Sequence, residues 1–148
     1  MGNTNTWIAV VDDEEGIRRA LLRLLRSAGL EAHVYTSGKL FMDSLSLRQP
    51  ACVILDLYMP DMNGFEVLST LSRQLPELPV IIMTGHDITA SMLQTSLAHA
   101  TDVLQKPMND QALLNAIARA ISQKMQRRVG IVPTENFERR KISRENRE

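Results

Sequence analysis

Five side chains able to do chemistry stand where apolar runs of the chain stop. Asp12 and Asp13 follow the run Trp7–Val11, Asp56 ends the run 51–55, Thr84 ends the run 79–83, and Lys106 follows Asp102–Gln105. Carboxylates brought together repel one another, burial raises that cost, and a divalent cation relieves it. Donors that are all oxygen suit a hard ion, with Mg²⁺ the first choice. That ion takes a few protein oxygens and leaves its other octahedral positions to water or phosphoryl oxygens. No histidine or cysteine cluster competes for a zinc assignment. Singly, Asp12 or Asp13 reads as an ordinary turn or cap residue. Residues of these types at four strand ends together read as a site.

They can meet only if strands one, three, four and five are neighbours in an open α/β sheet, where ligands bind beyond the carboxyl ends of the strands. The elements fit that demand. Trp7–Val11 is apolar throughout, as befits a strand covered on both faces. Over residues 15–28, Ile17, Ala20, Leu21, Leu24 and Leu25 recur at helical spacing, with Arg18, Arg19, Arg23 and Arg26 between them and Gly29 placed to end the helix. A short strand at 32–35, a helix at 39–47 and an apolar strand at 51–55 follow. After a turn at Met59, Pro60 and Asp61 comes Gly64, then a helix marked by Phe65, Val67, Leu68 and Leu71. A strand at 79–83, a weaker helix at 89–98 and the strand Asp102–Gln105 lead to Lys106 and Pro107. Asn109 or Asp110 caps a last helix with the stripe Leu113, Ala116, Ile117, Ala120 and Ile121. Five strand–helix units with short connections make an α/β sandwich on a parallel sheet, joined by right-handed crossovers.

The chain has 148 residues, enough for one domain with an appendage, and its 44% hydrophobic and 23% charged content excludes wholesale disorder. The single cysteine, Cys52, cannot form an internal disulfide and reads as a small buried hydrophobe of an intracellular protein. No segment approaches the roughly 18 to 20 apolar residues of a membrane span, so the expectation is a cytoplasmic protein with no membrane partner. Residues 1–121 carry nine Lys/Arg against thirteen Asp/Glu, whereas residues 122–148 carry eight against four. An acidic body therefore joins a basic tail. The tail, with Gly130, Pro133 and little apolar periodicity, reads as an extension of the last helix, a linker and a solvated charged segment. Its run Arg139-Arg140-Lys141 lacks a folded reading element, so direct nucleic-acid binding by this chain is not expected.

With these residues in view, the chain resembles the receiver domain of two-component response regulators. The resemblance is carried by Val10-Val11-Asp12-Asp13-Glu14, the run 55–64 (LDLYMPDMNG), Ile82-Met83-Thr84-Gly85 and Lys106-Pro107, in order over about residues 6–122. Through Thr84-Gly85-His86 it is similar to the nitrogen-fixation-regulator subgroup, whose receivers often precede a LuxR-type helix-turn-helix output domain. The resemblance implies a flavodoxin-like (βα)5 three-layer sandwich with strand order 2-1-3-4-5, a receiver over 1–122 and an appendage over 123–148. It implies Asp56 as phosphoacceptor, supplied by a sensor histidine kinase, a histidine phosphotransfer protein or a small acyl phosphate. It also implies Mg²⁺ held by Asp13, Asp56 and the Tyr58 carbonyl, with Asp12 ligating directly or through water. Lys106 would pair with a phosphoryl oxygen and the Thr84 hydroxyl would donate to another, with a cis bond before Pro107 aiming Lys106 inward. Such a protein is a switch, not a metabolic enzyme, and catalyses its own phosphorylation and slow dephosphorylation. It acts on an output domain or target protein, as a monomer or a phosphorylation-dependent homodimer.

Some positions depart from the family pattern. Val103 stands where receivers usually carry Tyr or Phe, and His99 where they usually carry Gly, in a surface loop. Tyr58 and His86, each two residues past a site residue, are expected at the rim of the phosphoryl pocket. Met59 and Met62 are expected on the kinase-docking surface, Met83 in the core, and Trp7 at a sheet edge or against a helix. Two other functions compete. A pseudo-receiver would keep the fold and bind partners without phosphorylation, a reading opposed by the retention of all five site residues. A hydrolase of small phosphate esters would need a separate general acid and substrate pocket, for which the sequence shows no candidate.

Overall fold

The computed structural model describes residues 6–59, 63–85, 89–107 and 109–129. Expectations for His86, Met62 and the tail from residue 130 onward lie outside those residues. Five strands, β1 (Trp7–Val11), β2 (Glu31–Tyr35), β3 (Cys52–Asp56), β4 (Val80–Thr84) and β5 (Asp102–Gln105), alternate with five helices. The helices are α1 (Glu15–Ser27), α2 (Gly38–Ser44), α3 (Gly64–Gln74), α4 (Ala90–His99) and α5 (Asp110–Val129). All strand pairs are parallel, in the order β2-β1-β3-β4-β5. The fold is the flavodoxin-like sandwich that the resemblance implies.

Alternation along each strand sorts its side chains into two cores. Trp7, Ala9, Val11, Val53, Leu55, Val80 and Ile82 pack with Phe41 of α2 and Val67, Leu68 and Leu71 of α3. Ile8, Val10, Cys52, Ile54, Ile81 and Met83 face the other way, onto Leu21 and Leu25 of α1 and Leu113, Ala116, Ile117 and Ala120 of α5. Each fully buried Leu or Ile contributes about 1.5–3 kcal/mol, so the three central strands anchor the fold. The edge strands β2 and β5 are only partly covered. Among the described residues no helix is long and apolar enough to cross a membrane.

Local signals set the helix ends. Gly29, at φ 82°, closes α1: its N–H bonds Arg26 O at 3.0 Å and the Leu30 N–H bonds Leu25 O at 2.9 Å. That is a Schellman arrangement needing a left-handed residue. The caps of α2, α3 and α5 are Ser37, Asn63 and Asn109, whose side-chain oxygens accept from Leu40, Glu66 and Ala112. Asn109 rather than Asp110 therefore caps the last helix. The second helix stops at Ser44, three residues short of its predicted end, in a turn where Leu47 is 87% exposed and has no core to bury against. His99 is the exposed last residue of α4, not a loop residue.

Candidate functional site

The register of β1 with β3 sets Val11 beside Leu55, so Asp12, one step past the strand end, emerges next to Asp56. Asp12, Asp13 and Asp56 each present a carboxylate oxygen, and these oxygens lie within 4.8 Å of one another. Asp12 is 1% exposed and Asp56 4% exposed, whereas Asp13 faces water. Lys106 reaches the same point from the far side of the sheet. Its Nζ lies 3.0 Å from Asp12 Oδ2, 3.6 Å from Asp56 Oδ2 and 3.5 Å from Glu14 Oε1. The backbone of Lys106 is tied to β4, its N–H donating to Thr84 O at 2.7 Å, and the Lys106–Pro107 peptide is cis. Thr84 ends β4 and is buried.

Asp12 has its polar groups engaged on all sides. Its N–H donates to Tyr35 O at 3.2 Å, its carbonyl accepts from Arg18 Nη1 at 2.9 Å, and its Oδ1 accepts from the Glu14 N–H at 2.9 Å. Asp56 Oδ1 accepts the Tyr58 N–H at 3.2 Å. The half-buried Tyr58 ring packs against the α3-side core and meets Phe65 in an edge-to-face pair at 6.4 Å. Met59, by contrast, is buried in the α3-side core, so it does not line the docking surface expected for it. Its unbranched thioether fills space within that core.

Two glycines make the loops fit. A Cβ on Gly64 would lie 2.4 Å from both Asp56 O and Leu57 Cα, so the start of α3 can press against the end of β3 only at a glycine. A Cβ on Gly85 would come 3.3 Å from Lys106 Cδ, against the stem of the lysine.

Burial pushes the Asp56 carboxyl above its usual pKa, and the neighbouring charges of Asp12 and Asp13 add to this, while the Tyr58 N–H and Lys106 oppose it. For Lys106 burial acts to lower the pKa. The hydrogen bond to Asp12 and the charges of Asp12, Asp56 and Glu14 outweigh it, and the ammonium is held above its ordinary value. Two buried carboxylates and an exposed third, all oxygen donors with excess negative charge, fit a hard divalent cation. The site thus joins Asp12, Asp13, Asp56 and Lys106, with Thr84 and Tyr58 adjoining through the backbone contacts above. Val103, paired with Ile82, is partly buried against the α3-side core. Trp7 sits inside the sheet, edge-on to His33 at 4.9 Å and under Arg48 at 4.6 Å, at the opposite end from the carboxylates.

Sequence reasoning missed Glu14 and Arg18. The only signal for Glu14 was its place in the acidic run 12–15, and for Arg18 its place one turn into α1.

Residues 8–118 match the family model described as the response regulator receiver domain. Nodulation protein W of Bradyrhizobium diazoefficiens is 32% identical over 126 residues, which are 85% of this chain and 56% of that protein. Transcriptional regulatory protein FixJ of Azorhizobium caulinodans is 32% identical over 114 residues, 77% of this chain and 54% of that protein. The crystal structure of full-length FixJ from B. japonicum superposes with a TM-score of 0.74 at 34% identity, covering 82% of this chain and 60% of that one. The chain spans about half the length of the curated relatives it matches.

Proposed function

The chain belongs to the response regulator receiver domain family of two-component systems, with relatives in the nitrogen-fixation and NtrC-type subgroup, and on that premise we propose that it is a phosphorylation-operated switch with Asp56 as phosphoacceptor. The observation that carries this reading is the Asp56 carboxylate, buried at a strand end between two further carboxylates and the Lys106 ammonium. An Asp56 oxygen attacks the phosphorus of a phosphohistidine or an acyl phosphate. A new O–P bond forms as the donor's P–N or P–O bond breaks, and the electron pair leaves with the imidazole or carboxylate.

Asp13 and Asp56, with the Tyr58 carbonyl and with Asp12 directly or through water, would hold Mg²⁺. When bound, that ion supplies positive charge between an anionic nucleophile and an anionic phosphoryl group. Lys106 gives up a carboxylate partner to pair with a phosphoryl oxygen, and the Thr84 hydroxyl donates to another. Movement of Thr84 draws on β4 and the segment leading to α4, which shifts an existing equilibrium toward a surface read by an output domain or target protein. The donor is a sensor histidine kinase or a phosphotransfer protein of the cytoplasm. Residues 1–122 form the receiver and 123–148 its helical extension and tail.

The test is intact mass after incubation with acetyl phosphate, with and without Mg²⁺, for the wild type and Asp56→Asn. A Mg²⁺-dependent gain of one phosphoryl group, absent from the variant, is the expected result. No adduct, together with no spectral response to beryllofluoride, would move the assignment to a phosphorylation-independent binding module.

A further inference from the structure

We propose that Glu14 is a specificity-determining residue: it shares the Lys106 ammonium at the mouth of the site and slows phosphoryl donors in proportion to their negative charge. The inference rests on the reading of Asp56 as acceptor. Glu14 occupies the N-cap position of α1, where Ser, Thr, Asp or Asn ordinarily caps the helix with its own side chain, yet its side chain makes no cap bond. Its N–H is taken by Asp12 Oδ1 at 2.9 Å instead. The freed carboxylate reaches across to a residue 92 positions away, with Oε1 3.5 Å from Lys106 Nζ.

Of the three carboxylates around that ammonium, Asp12 and Asp56 are buried, and Glu14, with 63% of its side chain exposed, stands between them and water. A phosphoryl oxygen that is to accept from Lys106 competes with Glu14 for the same donor. It also approaches against the Glu14 charge. Asp12, Asp13 and Asp56 lie together and Glu14 shares the Lys106 ammonium with two of them, so these four carboxylates, the ammonium and a bound divalent cation sum to one negative charge, which neutralising Glu14 would cancel. Competition and repulsion act in the same direction, and the second is screened by salt.

The experiment compares wild type and Glu14→Gln by the rate of phosphoryl gain in intact mass at saturating Mg²⁺. The donors are acetyl phosphate, a dianion, and phosphoramidate, which carries less negative charge. At about 0.1 M ionic strength, where the screening length is about 10 Å, Glu14→Gln is expected to react about fivefold faster with acetyl phosphate and to gain less with phosphoramidate, the difference fading at about 1 M, where the screening length is about 3 Å. Equal rates at the lower ionic strength with both donors would overturn the proposal and leave the acceptor assignment standing. No phosphoryl gain by wild type from either donor, together with no spectral response to beryllofluoride, would remove the acceptor assignment and this inference with it. A metal-free double-mutant cycle tests the contact itself. Glu14→Gln should raise the urea midpoint in Lys106→Met, where only repulsion remains, and should raise it less or lower it with Lys106 present; identical changes in the two backgrounds would overturn the contact.

Discussion

The Lys106 ammonium lies 3.0 Å from Asp12 Oδ2, joining two residues 94 positions apart, and it is the positive charge against which the carboxylates of the site are assembled. Asp12 is 1% exposed and the Lys106 side chain 13%, so the pair is largely out of water. Removing one partner of such a pair strands the other's charge, which costs more than the pair itself contributes.

Lys106→Met should therefore destabilise the metal-free protein by about 3–5 kcal/mol. Urea denaturation with and without Mg²⁺ checks this, and the gap from wild type should narrow as the ion takes over neutralisation. The sign with pH follows from the raised pKa of Lys106. Its contribution is fully present below the unfolded value of about 10.4 and is lost as pH climbs through the higher folded value.

Asp56 behaves oppositely. A carboxyl whose folded pKa is raised, here by burial first and by Asp12 next, binds its proton more readily in the folded state. Stability falls as pH rises from the ordinary carboxylate value of about 3.9 to the raised one, and the penalty persists at neutral pH. Asp56→Asn should raise the denaturation midpoint of the metal-free protein at neutral pH relative to acid pH. A wild-type-to-variant difference that is flat across that range would contradict the electrostatic account.

Gly64→Ala places a methyl group 2.4 Å from Asp56 O and Leu57 Cα, so the β3–α3 junction must open. Backbone overpacking of this kind costs about 1–3 kcal/mol. Because the displaced backbone carries Asp56 and Tyr58, a Mg²⁺ titration should show weakened binding alongside the lost stability. Loss of stability with unchanged Mg²⁺ affinity would mean the strain is absorbed in α3.

Gly29→Ala serves as the contrast. It forces an L residue to φ 82° at the end of α1, away from the carboxylates, and should cost about 1 kcal/mol in chemical denaturation. Phosphoryl gain from acetyl phosphate should be unchanged.

The order of elements, both buried faces of the sheet and the gathering of carboxylates at its carboxyl edge were legible in the sequence. Continuous apolar runs such as Cys52–Leu55 declare a strand covered on both sides, and a polar residue at the end of such a run, here Asp56, declares which edge it reaches. These are local properties, set by side-chain period and by where hydrophobic burial stops. What the tertiary structure alone decided is how the ends meet. That Glu14 turns away from its own helix to share Lys106, 92 positions away, that Arg18 holds the Asp12 carbonyl, that Gly64 admits α3 against Asp56, and that Met59 turns inward all depend on how the loops seat each element against its neighbours. Periodicity tells a side chain which face to take; its partner is chosen only when the crossovers bring two strand ends within hydrogen-bonding reach.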